Sequence, residues 1–439
     1  MPAFAPNVTI ENLFDVLKET QEHGDIIDSQ GRYHHWDDFR RRFKSNTLSL
    51  EQAWILTRGA RLLRAVPTGF RDKTTISFTI TEFGGLRHQL HLIDRRASGS
   101  LASPIKKFEH QDGRQHLVRS LIEEPFSSSI LEGAATTRER AVEMIEKGDD
   151  PRSEGDQMVL NNHLAMSFIR EHLEEDLTIE FVHDIHRIIT KDTLADSKMM
   201  GRFREPCHDI NVVNESTGEI LHTPPHENTL EKRLQRICDF ANEDYTKADP
   251  FFNPVVRGIL LHFMLAYDHP YVDGNGRTAR ALFYWYVLKQ GYWLLEYISI
   301  SKLLREAPMK YGKAFLYSET DNGDITYFII HQLDVILKAL DALDGYLEQK
   351  SNERNELQNR LEALRNNRRL NIRQVAIVEQ TIRNPHSRLT IKEHGQRSGV
   401  TYLTARKDLD DLVAENFLTR SNGKPIIYQP TNKILKLEI

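Results

Sequence analysis

The sequence predicts a mainly α-helical protein, with an α+β segment at its N-terminus and a small winged-helix-like unit at its C-terminus. Three observations carry this. Within residues 101–350 apolar residues recur at helical spacing, as Val255, Ile259, Leu260, Phe263, Met264 and Tyr267 do in "NPVVRGILLHFMLAYDHP". In "KTTISFTIT", Ile76, Phe78 and Ile80 alternate with Ser77 and Thr79, the period of a half-buried strand. Near the end, "SRLTIKEHGQRSGVTYLTARKDLDDLVAENFLTR" reads as two short helices joined at Ser398–Gly399, and "SNGKPIIYQP" as a hairpin turning at Asn422–Gly423.

A chain of 439 residues has room for two or three domains. The divisions expected are a mixed segment over 1–100, a helical domain over 101–350, a polar linking helix over 351–369 and a winged-helix-like domain over 370–439. Hydrophobic residues make up 39 % and charged residues 28 %, so the chain can bury a core. A net charge of −5 argues against a protein that mainly coats nucleic acid. Cys207 and Cys238 are too few for a disulfide framework and suit a reducing cytoplasm. The start has no signal-peptide pattern, and no apolar run approaches the ~18 residues of a membrane span. A cytoplasmic protein without membrane contact is expected.

In the helical domain, Asn253 is placed to cap a helix opening at Pro254, and His269–Pro270 to stop it. A second helix is expected from about Gly276 to about Gly291. Its interior "ALFYWYVLK" is apolar on nearly every face, as in a central buried helix. Between the two lies "HPYVDGNGRTAR". One reading is a polar turn between core helices. The other is a phosphate cradle: Gly274 and Gly276 allow close approach, the helix N-terminus offers free N–H groups, and Arg277 and Arg280 supply charge. Asp273 fits a cradle only with a divalent cation between it and the phosphates, and His269 stands where it could take a proton.

"HPYVDGNGRTAR" resembles the signature of the Fic family, His-x-Phe-x-Asp/Glu-Gly-Asn-Gly-Arg-x-x-Arg, with Tyr271 where phenylalanine is usual. "GRFREP", "LHTPPHENTLEKRL" and "GDITYFI" resemble further family segments. The resemblance implies a Fic helical core with a β-hairpin flap that transfers AMP from ATP to a Ser, Thr or Tyr hydroxyl of a target protein, itself included. On it, His269 is the general base, Asp273 holds Mg²⁺, Gly274, Asn275 and Gly276 form the anion hole, Arg277 contacts the phosphate chain, and Arg280 holds the γ-phosphate. Thr223, Pro224 and Pro225 would dock the target's main chain by strand addition.

"SSSILEGAATTRERA" resembles the family's inhibitory motif, with Ser128, Glu132 and Gly133 at its marked positions. It implies that Glu132 pairs with Arg280 and blocks the γ-phosphate. Removal of AMP by a water held on Glu132 stays open. The serines are expected at a helix start, and Thr136 with Glu139 as a capping box. His183 and His186 lack a third ligand and read as packing residues. The C-terminal unit, with Lys392, Arg406 and Lys407, leaves open a DNA-binding regulator or a protein-docking module; a homodimer also stays open.

Overall fold

The computed structural model describes residues 1–98, 111–214, 217–366, 370–384 and 386–432, in two units, Met1–Asp344 and Gly345–Ile439. The boundaries expected near residues 100 and 369 fall outside the described residues.

Three capped helices open the first unit. Thr9 caps α1 (Ile10–Thr20), His35 caps α2 (Trp36–Arg42) and Ser49 caps α3 (Leu50–Leu62), the first and last with reciprocal capping boxes. Val8, Val16, Trp54, Ile55 and Leu56 gather the apolar faces of α1 and α3 into one cluster. Arg58 of α3 is buried between two buried carboxylates, at 2.9 Å from Asp321 and 3.2 Å from Asp324. The strands β1 (Ala65–Arg71) and β2 (Ser77–Thr81) form an antiparallel hairpin, followed by α4 (Gly84–Ala97). Phe78 and Ile80 point inward as expected, but Ile76 is 45 % exposed and lies outside the strand. The turn claims it: Asp72 Oδ1 accepts from the N–H groups of Thr74 (2.8 Å) and Ile76 (2.7 Å).

The helical core follows as α5 (Gln111–Leu131), α6 (Arg138–Lys147), α7 (Glu154–Glu171) and α8 (Ile179–Thr190). A short hairpin, β3 (Val212–Val213) and β4 (Ile220–His222), leads to α9 (Leu230–Asn242), α10 (Pro254–Asp268) and α11 (Asn275–Lys289). Then come α12 (Ile300–Glu306), α13 (Pro308–Thr320) and α14 (Thr326–Asn366). From Ala281 to Val287 no residue of α11 exceeds 2 % exposure, so this helix is the centre of the unit. Asn253 caps α10, accepting from Val255 N–H at 2.8 Å, with Pro254 at the first position. The helix stops at His269, which takes the left-handed conformation (φ 45°, ψ 57°) because the following proline disfavours right-handed helix there. Among the described residues no helix is long and apolar enough to cross a membrane.

Three local expectations are corrected. The N-cap of α6 is Thr137, whose side chain accepts from Arg140 N–H, while Thr136 donates to Asp156 Oδ1 at 2.5 Å. Ser127, Ser128 and Ser129 lie in the last turns of α5, buried, not at a helix start; Gly133 follows with φ 93°. The polar stretch expected as a separate linking helix continues α14 to Asn366, since no glycine or proline interrupts 346–366.

In the second unit, α15 (Ile372–Arg383), α16 (Ile391–Ser398) and α17 (Tyr402–Ala414) precede an antiparallel pair, β5 (Leu418–Arg420) and β6 (Tyr428–Pro430). Leu389 adds a third edge by exchanging two 2.9 Å backbone bonds with Tyr428. Gly399 joins α16 to α17 with φ 63°, as the sequence suggested. Asn422–Gly423 does not form a two-residue turn. The strands part at Arg420 and rejoin at Tyr428, across a wider loop closed by Ser421 N–H on the Ile427 carbonyl at 2.9 Å.

Arg58→Met would leave Asp321 and Asp324 buried without their cation. Denaturant unfolding of the full chain is expected to show a loss of about 3–5 kcal/mol; a loss below ~1 kcal/mol would contradict the pairing as described.

Candidate active site

The loop from His269 to Gly274 is shaped by its own side chains and by α8. Asn275 Oδ1 accepts from Tyr271 N–H (2.9 Å) and its Nδ2 donates to the Tyr271 carbonyl (2.8 Å), closing the loop on itself. Gly274 sits at φ 78°, and a Cβ there would lie 2.7 Å from Thr190 Cγ2, so conformation and space both require glycine. The N–H groups of Asn275, Gly276 and Arg277 open α11 without partners inside the helix, at its positive end.

An anion already stands there. A Cβ on Gly276 would meet Glu132 Oε1 at 2.2 Å, which places the Glu132 carboxylate against the head of α11. The same oxygen lies 3.0 Å from Arg280 Nη2. Arg280 is 1 % exposed and also donates to Ser128, from Nε to Oγ at 2.9 Å and from Nη2 to the carbonyl at 3.1 Å. Its Nη1 is buried without a partner. Burial opposes the charge of Arg280, but the Glu132 carboxylate leads a set of neighbours that more than offset it, and its pKa is raised. Helix α5 is held in place by Glu124, whose buried carboxylate accepts from Ser301 N–H (3.0 Å) and Ser299 Oγ (2.8 Å). The structure thus brings together Ser128, Glu132, Gly276 and Arg280, four residues singled out in the sequence.

Arg277 takes a different direction from Arg280. It is 1 % exposed, donates from Nη2 to Asp273 Oδ2 at 3.0 Å and from Nη1 to the Ile189 carbonyl at 3.4 Å. Asp273 is 55 % exposed on its side chain and is paired through that one oxygen.

His269 Nδ1 faces the Ala266 carbonyl at 3.3 Å. A ring nitrogen facing a carbonyl carries the hydrogen, which leaves Nε2 as the acceptor. Burial pushes the His269 pKa down to about 4. Asp268, directly before it, is fully buried and pushed up by that burial to about 6, although Arg233 Nε lies 2.7 Å from its Oδ1.

Two residues read from the sequence as packing residues, His183 and His186, hold this arrangement by hydrogen bonds as well as by packing. His186 donates from Nε2 to the Asp273 carbonyl and accepts at Nδ1 from Gly201 N–H, both at 2.9 Å, and its ring stacks on Tyr271 with centroids 3.7 Å apart. His183 meets the Tyr271 hydroxyl at 3.0 Å, giving a partner to the oxygen that phenylalanine would lack. The i,i+3 spacing of the two histidines was the available signal. Arg204 joins loop to flap: its N–H donates to the Pro270 carbonyl (2.8 Å), its Nε to the His269 carbonyl (2.9 Å) and its Nη2 to the Pro225 carbonyl (2.5 Å). In the flap, Thr223 is exposed while Pro224 and Pro225 are buried, and the pairing of β3 with β4 has two rungs.

The helical scaffold thus presents, side by side, a helix head with free N–H groups, an exposed acid paired to Arg277 and a buried imidazole. Residues 176–287 match the Fic/DOC family, and the chain carries a Fic domain. The curated relatives it matches include proteins from Drosophila willistoni and Drosophila melanogaster, each called Protein adenylyltransferase Fic, and each 29 % identical over 185 residues. That alignment covers 42 % of this chain and 33 % of each relative, so the match spans about a third of their length. Among solved structures, a Fic family protein from Desulfovibrio desulfuricans G20 superposes with a TM-score of 0.50 at 17 % identity, over 80 % of this chain and 95 % of that one. The mainly α-helical Fic core is therefore the fold of the protein.

An NMR titration of the His269 ring is expected to give a midpoint near 4, below the ordinary 6.5, because burial disfavours the charged form. The unfolded chain then binds the extra proton between those values, so this residue's contribution to stability is complete above pH 6.5 and is lost as pH falls toward 4. A midpoint at or above 6.5 would contradict the buried, neutral imidazole.

Proposed function

We propose that the chain is a protein adenylyltransferase, moving AMP from ATP to a hydroxyl side chain of a target protein and of itself, and that Glu132 restrains it. The observation that carries this is the Glu132 carboxylate lying on Arg280 and against Gly276, where an anionic ligand would otherwise sit. The free N–H groups at the head of α11 and the unpartnered Nη1 of Arg280 are what a triphosphate would engage once Glu132 withdraws.

In this reading Gly274, Asn275 and Gly276 supply backbone donors to the α- and β-phosphates, and Arg280 takes the γ-phosphate. Arg277 fixes Asp273 and adds positive charge beneath the phosphate chain. Asp273 would hold Mg²⁺: Mg²⁺ is usually held by one or two carboxylates together with phosphate oxygens, and Asp273 is exposed and paired on one oxygen only. When bound, the ion offsets charge on the phosphates. His269 Nε2 accepts the proton of the incoming hydroxyl, whose oxygen bonds to the α-phosphorus as the bond to the bridging oxygen breaks and pyrophosphate leaves. Burial keeps this imidazole unprotonated and able to accept at neutral pH, while its lowered pKa makes it a weaker base than a free histidine.

We read the C-terminal helices and hairpin as a winged helix that serves protein contact. Arg406 and Arg420 both pair with Asp410, at 3.3 and 3.4 Å, so part of the positive charge on this face is already offset. Two free cysteines accord with a cytoplasmic setting.

Intact-mass measurement after incubation with Mg²⁺ and each nucleoside triphosphate tests the proposal. Glu132→Gly is expected to gain AMP from ATP, with wild type at least ~tenfold slower, the loss of about 1.4 kcal/mol of blockade. Glu132→Gly combined with His269→Ala should gain nothing. Absence of AMP on Glu132→Gly contradicts the proposal.

A further inference from the structure

The first hundred residues take no part in the transfer just described, yet the turn between β1 and β2 touches the site's acceptor side at three points. Lys73 Nζ donates to the Thr223 carbonyl at 2.6 Å. Its backbone N–H donates to the Tyr267 hydroxyl at 3.2 Å. Arg233 pairs with Asp268 at 2.7 Å through Nε and reaches back from Nη2 to the Arg71 carbonyl at 2.8 Å. Tyr267 and Asp268 immediately precede His269, and Thr223 follows the last residue of the flap strand β4.

The turn is built to hold its shape. Asp72 Oδ1 gathers the N–H groups of Thr74 and Ile76, Arg71 Nη1 donates to the Thr75 carbonyl at 2.9 Å, and Thr75 adopts φ 76°. The flap, by contrast, has two rungs of pairing, and a two-stranded ribbon is marginal by itself. Its exit cannot tie itself down through backbone donors either, because Pro224 and Pro225 have no N–H. It offers carbonyls, and two cations from outside take them: Lys73 on Thr223 and Arg204 on Pro225. On the other side, His222 of β4 lies 2.7 Å from the Tyr267 carbonyl.

We propose that Lys73 is a positioning residue for the protein acceptor, clamping the exit of the flap in register with His269, so that the N-terminal hairpin forms part of the acceptor side of the site. The extended segment of a target protein would lie along the flap that this clamp fixes. The functional half of the proposal rests on the adenylyltransferase reading; the clamp itself does not.

Hydrogen exchange on the full chain tests the clamp without reference to activity. In Lys73→Met the amides of Ile220 to Thr223 should exchange about tenfold faster than in wild type, as loss of one charge-assisted hydrogen bond would give, and Lys73→Arg should stay within about threefold. Unchanged exchange in Lys73→Met overturns the proposal. Self-modification with labelled ATP in the Glu132→Gly background supplies the second readout. Adding Lys73→Met should lower the maximal rate about tenfold while half-saturating ATP stays within about twofold, and Lys73→Arg should restore it. A change confined to half-saturating ATP, or no recovery with arginine, overturns the positioning role. If Glu132→Gly takes up no AMP at all, the adenylyltransferase reading fails alone, because the exchange measurement still decides the clamp.

Discussion

A guanidinium buried at the head of a buried helix must have an anion, and the site is organised around that need. Arg280 is 1 % exposed, on the helix that forms the centre of its unit. An uncompensated charge in such a place costs several kcal/mol. Glu132 meets the demand with a carboxylate, Ser128 adds two acceptors, and Gly276 leaves the space a Cβ would take. On the proposed function a polyphosphate would meet the same demand, since it brings more negative charge to the same donors. On the same reading, ligand and restraint would compete for one cation, and neither could be weakened without affecting the other.

What surrounds that pair is a set of parts held by backbone contacts rather than by large apolar surfaces. Tyr271 is pinned by Asn275 on its main chain, by His183 on its hydroxyl and by His186 on its ring face. His186, in turn, spans from Gly201 to the carbonyl of Asp273, so one buried neutral imidazole fixes both the acid and the start of the glycine turn. Arg204 does the same between His269 and Pro225. Cationic and imidazole side chains that bond to carbonyls can hold irregular chain in place where no strand or helix ladder is available. The helices α8, α10 and α11 supply the rigid frame, and these bonds set the loop upon it.

The sequence made much of this legible because the decisive residues are local. Gly274, Asn275 and Gly276 declare a turn into a helix, and the all-round apolar run to Lys289 declares that the helix is buried. Asn253–Pro254 and His269–Pro270 mark the ends of α10 by chemistry that acts over one or two residues. The pairing of Glu132 with Arg280 spans 148 residues and was reached through family resemblance, not through spacing. What stayed hidden was non-local or ambiguous. Arg277 and Arg280 looked alike in spacing and are equally buried; their partners separate them, Asp273 for one and Glu132 for the other. Thr136 and Thr137 are equally good caps on paper, and Asp156 decides by taking the first. The Asn422–Gly423 pair signals a tight hairpin, yet the strands part at Arg420 and rejoin only at Tyr428, leaving that pair inside a wider loop. Arg204 was visible only as the arginine of the family-like "GRFREP" segment, with no partner indicated, and Arg58, Arg233 and Lys73 gave no pattern, since their partners lie far along the chain.

The central claim is that Glu132 and a nucleotide compete for Arg280. Titration calorimetry of Mg·ATP into wild type, Glu132→Gly and Glu132→Gly with Arg280→Ala measures it directly. The account requires Glu132→Gly to bind at least ~tenfold more tightly than wild type, about 1.4 kcal/mol, and the double variant to lose that gain. Equal affinity in wild type and Glu132→Gly would contradict it.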